Sequence, residues 1–330
     1  MSGNLITIGK SGASAARAAL ELTGQNIANA GNATYARRTL GQSEVVATGG
    51  IGLSASSALS GVRADGVQRT QSLFLQNEVR RTNSDVSRAD AELRGLKNAE
   101  SAIEQAGIYP AIVNFEAALS QLVSDPLDGA LRANALESAN TLTQTFAIAT
   151  EGMGVAADEL RFDVEAGVTE FNTLSAELAR TNIGLARSQE GSANKAALLD
   201  QRDALLTRMS GLANLSTEFD SVGRVAVRAG GAGGQTIVSG AQAASISVAF
   251  DGAGNTEFSV GGTPLVLGSG SLAGQAQGLR HIADLSDKLD GLAAQLIERG
   301  NTAQAAGITP AGTQGQPLFS GTNPAISGLR

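Results

Sequence analysis

Apolar residues recur along most of this chain at alternating three- and four-residue steps, as on one face of a helix, and in one stretch at every second residue, as in a strand. Near the start, Leu5, Ile8, Gly12, Ala15, Ala19, Leu22 and Asn26 follow a 3, 4, 3, 4, 3, 4 spacing, while Ile6, Ala13, Leu20 and Ile27 repeat every seven on an adjacent stripe. The pattern predicts a helix with a wide face made largely of small residues. Such a face buries little area, and at about 25 cal/mol per Å² it does not offset the ordering entropy of an isolated helix. A partner is needed, and the turn-rich segment that follows offers no obvious intramolecular one.

Ala30-Gly31 reads as a helix stop, and residues 31–66, rich in Gly, Ser, Ala and Thr, read as extended chain and turns. From Val79, the positions Val79, Val86 and Leu93 alternate with Ala89, Leu96 and Ile103 in heptad register, leaving Arg80, Arg81, Asp85, Arg88 and Glu92 outside the seam. Ile112, Phe115, Leu119 and Leu122 mark a shorter helix. Asp125-Pro126 then reads as the cap and first turn of a new one, since the carboxylate accepts free N–H groups and proline lacks only a donor that has no partner there.

That helix is predicted to run to about Gly191. Leu142, Phe146, Ala149, Met153, Ala156 and Leu160 set its seam, and Val164, Gly167, Phe171, Leu174, Leu178, Thr181 and Leu185 resume it after one added four-step, a stutter that relaxes supercoiling. Sixty-odd residues span roughly 90 Å at about 1.5 Å each, which predicts a rod-shaped body. A further helix has Leu198, Leu205, Met209 and Leu212 as its seam, flanked by Leu199 and Leu206. Between 215 and 270 the period becomes two, as in "RVAVR", "SISVAF" and "EFSV", which predicts a small β unit. Ile282, Leu285, Leu289, Leu292 and Leu296 return to helical spacing, predicting a returning helix over 271–306 and an irregular tail over 307–330. The expected fold is mainly α: an elongated bundle of heptad-patterned helices (67–214 and 271–306) with a β unit (215–270) and an N-terminal helix with its extended linker (1–66).

Composition narrows the functions. The chain has 330 residues, a net charge of −7, no Cys, no Trp and one His. The acidic balance argues against a nucleic-acid partner, which needs a basic face to displace counterions. Without Cys there is no disulfide, thiolate nucleophile or sulfur-ligated metal, and one His excludes multi-His sites. The first thirty residues hold no apolar core of a secretory signal, and no 18-residue apolar span predicts membrane insertion.

Candidate chemistry is sparse, and no catalytic, cofactor-binding or metal-ligating set emerges. "RAGGAGGQT" lacks the Lys-Ser/Thr of a phosphate loop and is not followed by a helix, so it reads as a hairpin turn. Asp200 and Asp203 in "LLDQRD" lie one turn apart with Arg202 between them, which favours a solvated or helix-pairing ion network over a cation site. His281, beside Arg280, reads as a surface residue, because no nucleophile or carboxylate constellation accompanies it. Arg37-Arg38 beside Tyr35 reads as a protein contact.

The stretch "LTGQNIANAGNATYARRTL" resembles the N-terminal signature of the flagellar axial proteins (rod, hook and hook-associated), with Gln25, Asn26, Ile27, Ala28 and Asn29 on its Asn-rich run and Tyr35 and Arg37 on its turn. Thr34 stands where that family usually has Gly. "GVQRTQSLFLQNEVR", "SDPLDGALRANAL" and "ALLDQRDALLTRMSGLANL" narrow the resemblance to the hook–filament junction members. It implies a flagellin-like helical core and a structural role without catalysis or cofactor. It also implies polymerisation into the axial tube, export by the flagellar type III apparatus without a cleaved signal, and an extracellular location. The implied partners are further copies in a helical ring, the hook protein, the second junction protein and a flagellar export chaperone.

The family's closing C-terminal helix, which pairs with the N-terminal one, has no counterpart before Arg330, so a fragment or a different assembly is expected; the resemblance places the chaperone site in that C-terminal region. The expected assembly interface is Leu5, Ile8, Ala15, Ala19, Leu22, Asn26, Ile27, Asn29, Tyr35 and Arg37. A hook or rod subunit, and a flagellar scaffold carrying an enzymatic insert, stay open as alternatives.

Overall fold

The computed structural model describes residues 2–32, 35–44, 61–251, 254–309 and 312–320. Thr34, the middle of the expected linker and the end of the tail lie outside the described residues. The order is α1 (Ser2–Ala28), β1 (Arg38–Glu44), β2 (Val62–Arg69), α2 (Leu73–Ala106), α3 (Ile108–Ser124), α4 (Gly129–Arg187) and α5 (Ala193–Leu212). Strands β3 (Leu215–Phe219), β4 (Val225–Ala229), β5 (Gln235–Ser239), β6 (Gln242–Ala243), β7 (Ile246–Phe250), β8 (Thr256–Val260) and β9 (Thr263–Leu265) follow, then α6 (Ser271–Ala306). A mainly helical fold with a small β unit is therefore what the sequence folds into. The strands form β1-β2, β3-β4-β5-β6 and β7-β8-β9 sheets.

Two compact units divide the chain: Met1–Asp85 with Thr169–Ile246 and Ser259–Gly270, and Val86–Val168 with Ser247–Phe258 and Ser271–Arg330. In the first, Leu174, Leu178 and Leu185 of α4 are buried, as are Leu205, Leu206 and Met209 of α5 and Val225 and Val227 of β4. Asn182, fully buried on α4, joins helix to sheet: its Nδ2 donates to the Val225 carbonyl and its Oδ1 accepts from the Val225 N–H, each at 2.9 Å. Asn172 treats Ile246 in the same way, at 2.9 and 2.8 Å. A helical asparagine thus satisfies both backbone groups of an extended residue, so a strand can end against a helix without orphaned polar atoms.

The second unit is built on close approach. Gly95 of α2 lies beside Gly278 of α6, where an added Cβ would stand 3.3 Å from the Gly278 Cα, and a Cβ at Gly274 would stand 2.2 Å from the Arg88 carbonyl oxygen. Ala91 and Ala99 are completely buried with Phe146 and Ala149 of α4 and Ala293 of α6. The device recurs at the end of the chain, where Asn301 holds the N–H and carbonyl of Phe319 at 2.9 and 2.7 Å and Phe319 meets Phe115 edge to face.

Several expectations need correction. The stripe Val79, Val86 and Leu93 is exposed, and α2 instead buries Arg80, Ser84, Ala91, Ala99 and Ala106. From Ala91 onward the buried row is made of small residues, which permit the close α2–α6 contact, and ranking by side-chain size selects the wrong face. Asp125-Pro126 does not open the long helix: Asp125 follows α3, and Asp128 caps α4 by accepting from Ala130 and Leu131 N–H groups at 2.7 and 3.0 Å. The linker 31–66 contains a paired two-stranded ribbon as well as turns. His281 is one-third exposed, 3.3 Å from Glu92 of α2 and bonded to Gln277. The α4 helix runs unbroken through the stutter for 59 residues. "RAGGAGGQT" forms the turn between β4 and β5, with Gly230 and Gly231 at positive φ.

Candidate assembly site

The site begins at α1. Its small residues lie along the β1–β2 ribbon, and the positions shielded from solvent are Ile8, Ser11, Gly12, Ala15, Ala18, Ala19, Leu22, Asn26 and Asn29. From Ile8 to Asn26 the helix rises roughly 27 Å, close to the roughly 24 Å of a seven-residue strand, so ribbon and helix face match in length. The helix therefore has an intramolecular mate, contrary to the sequence reading. Apolar periodicity does not reveal the ribbon, because its strands are largely polar, with Arg and Gln in both and few apolar positions.

Hydrogen bonds at both ends fasten the pair. Ser11 Oγ accepts from the Val62 N–H at 3.2 Å. At the other end Asn26 accepts from the Arg38 N–H at 2.9 Å, donates to the Arg38 carbonyl at 2.8 Å and accepts from the Tyr35 hydroxyl at 3.0 Å. This is the asparagine device of Asn172 and Asn182 again, and it gives the Asn-rich run a physical role. Asn29 donates to the Gln25 carbonyl, closing the helix end.

The ribbon is in turn anchored to α5. Arg38 pairs with Asp200 at 2.5 Å, Arg69 bridges Asp200 and Asp203 at 2.7 and 2.8 Å, and Arg202 pairs with Asp203 at 2.6 Å. Arg202 also donates to the Gly223 carbonyl and stacks 4.6 Å from the Phe219 ring, and Arg38 lies 5.0 Å from the Tyr35 ring. Burial draws the Arg202 pKa down, while Asp203 opposes that shift. The Asp200 and Asp203 network is therefore neither solvated nor helix-pairing: besides Arg202, its cationic partners Arg38 and Arg69 come from a ribbon more than a hundred residues earlier. At the ribbon's bulge, Gly66 (φ 124°) approaches Gly191 so closely that a Cβ would stand 2.7 Å from the Gly191 Cα, and the Val67 N–H donates to the Gly191 carbonyl.

The expected interface residues thus divide. Ile8, Ala15, Ala19, Leu22, Asn26, Asn29 and Tyr35 are wholly or partly covered by their own chain, whereas Leu5, Ile27 and Arg37 are exposed. Arg38, not Arg37, makes the buried contact, because strand register turns alternate side chains to opposite faces. Ile6 and Leu20 extend the exposed row, at 71% and 72% exposure. Two more rows of the same heptad spacing are exposed, Val79, Val86 and Leu93 on α2 and Ile148, Val155 and Phe162 on α4. Among the described residues no cluster of three or more metal-ligating side chains occurs, and no helix is long and apolar enough to cross a membrane.

A solved structure, the flagellar hook junction protein FlgK from Burkholderia pseudomallei, shares this fold at a TM-score of 0.64 and 20% identity, covering 74% of this chain and 47% of that one. The fold is thus one found in a flagellar hook junction protein. The sequence profile of the flagellar hook-associated protein FlgK helical domain matches residues 93–319, and the chain belongs to that family. Flagellar hook-associated protein 1 of Escherichia coli (strain K12) is 25% identical over 98% of this chain and 61% of its own length, and that of Bacillus subtilis (strain 168) is 22% identical over 94% and 68%. The chain spans about 61% of the length of its Escherichia coli relative.

Proposed function

We propose that the chain is a structural, non-enzymatic subunit of the bacterial flagellum that joins hook to filament by polymerising into the axial tube. The observation that carries this reading is the triple occurrence of exposed heptad-spaced apolar rows, on α1, α2 and α4. A row such as Ile148, Val155 and Phe162 costs free energy in water, and heptad spacing is what a neighbouring helix covers. Head-to-tail contacts whose rotation does not close generate a helical tube. The assembly interface in this reading centres on Leu5, Ile6, Leu20 and Ile27, while Asn26, Tyr35 and the covered face of α1 set its orientation. Its partners are further copies, the hook protein on one side, the second junction protein on the other and an export chaperone beforehand. Its location is extracellular, after type III export.

The test adds purified chain to hook-basal bodies that lack the junction protein and images them by electron microscopy, alongside Leu20→Asp/Ile27→Asp. Decoration of the distal hook tip by the wild-type chain, lost in the variant, is expected. Equal decoration by both refutes the α1 interface. Attachment along the rod or the length of the hook instead reassigns the chain to a rod or hook subunit.

A further inference from the structure

Arg80 is buried at 5% exposure, yet no carboxylate lies within 4.0 Å of it among the described residues. It bonds to Asn77 Oδ1 at 2.5 Å and lies 6.0 Å from the Phe219 ring, neither of which neutralises its charge. The nearby Asp203 is already shared by Arg69 and Arg202, so four arginines (38, 69, 80 and 202) face two aspartates (200 and 203). Burial draws the Arg80 pKa down, which Asp203 counters and Arg202 reinforces. A desolvated cation without a counter-ion is costly.

Arg80 also lines a cavity of about 360 Å³ formed by α2, the end of α5, β3, the β4–β5 turn and Ser269, within the roughly 300–1,000 Å³ of small-ligand pockets. Its lining is hydroxyl and amide: Asn77, Asn214, Ser216 and Thr217 accompany Ser84. Ser84 is 2% exposed, and its Oγ has no hydrogen-bond partner among the described residues. A hydroxyl without a hydrogen-bond partner and a guanidinium without a carboxylate partner among the described residues, one helical turn apart at i and i+4, line one space and both favour an acceptor that carries charge.

We propose that this cavity binds a small hydroxylated carboxylate of the sugar-acid class, with its carboxylate on Arg80 and Ser84 and its hydroxyls on the amide and hydroxyl lining. A single negative charge fits best: Arg81 at the rim is already paired with Glu78, and Asp85, bonded to Ser269, repels a second negative charge. The site uses none of the side chains of the exposed apolar rows and does not depend on the assembly reading.

The test titrates glucuronate into the full chain by calorimetry at constant ionic strength, with glucose and sodium chloride as controls. Saturable binding of glucuronate alone is expected, weakened at least tenfold in Arg80→Met and severalfold in Ser84→Ala. If Arg80→Met fails to fold by circular dichroism, Ser84→Ala carries the comparison. No saturable binding by the wild type, equal binding of glucose, or affinity unchanged in the folded variants overturns the proposal. Arg80-dependent self-association in sedimentation without glucuronate binding also overturns it, by showing that a neighbour's acidic side chain is the occupant.

Discussion

Replacing Asp203 by Ala strips the ribbon-to-α5 anchor of its central acid. The Asp203 side chain is 7% exposed and accepts from Arg69 at 2.8 Å and from Arg202 through both Nε and an Nη, at 2.9 and 2.6 Å. Its removal leaves Arg202, at 2% exposure, without an ion pair, and Arg69, at 4%, dependent on Asp200 alone. Breaking one side of a buried pair costs about 3–5 kcal/mol. In a unit of this size each kcal/mol moves the melting point by about 2–4 °C, so a fall of about 6–20 °C is expected.

The assay is thermal unfolding by circular dichroism, with urea denaturation to check that the midpoint moves while the slope stays fixed. A companion variant, Arg69→Met/Arg202→Met/Asp203→Leu, removes the charges together and leaves the Arg38–Asp200 pair balanced. Its expected deficit is about 1–2 kcal/mol, chiefly the orphaned Gly223 carbonyl. A loss below about 1 kcal/mol for Asp203→Ala, the range of exposed pairs, would refute the view that the cluster is desolvated and holds the ribbon in place.

Three further outcomes follow from the same contacts. Asn26→Ala leaves the Arg38 N–H and carbonyl unpaired at a cost of about 1–3 kcal/mol, so amide exchange at Arg38 and in the second half of α1 accelerates at least tenfold; unchanged exchange would show that the asparagine fastening is redundant. Gly274→Ala forces a Cβ against the Arg88 carbonyl and overpacks the α2–α6 contact by about 1–3 kcal/mol or more, read as a lower melting temperature; an unchanged melting temperature would mean that the helices separate freely. Burial opposes ionisation of Asp220, but hydrogen bonds from Arg224 and from the Arg224 and Val222 N–H groups outweigh it, so its pKa lies below the ordinary value. That contribution is complete above the unfolded carboxylate value of about 3.9 and lost as pH falls through the lower native value, so the β3–β4 turn loosens in acid; Asp220→Asn abolishes that dependence, as amide chemical shifts across the turn report.

The sequence by itself determined the helices, because a 3.6-residue apolar period persists over α1, α4, α5 and α6 whatever packs on them. It also determined the hairpins of the β3–β4–β5 segment, where period two and Gly-rich breaks coincide. It placed the Asn-rich run and "LLDQRD" as the distinctive stretches, and it excluded thiol and multi-His chemistry by inventory. Only the tertiary structure decided which face of α2 is core, since burial there is set by how closely two backbones approach and glycine and alanine carry almost no hydrophobic signal. It alone paired α1 with a polar ribbon, because ribbon pairing depends on backbone hydrogen bonds that no side-chain period reports. It alone brought Arg38 and Arg69 to Asp200 and Asp203 and left Arg80 without a carboxylate partner among the described residues: charge balance in a desolvated cluster is a property of residues distant in the chain, and no local spacing encodes it.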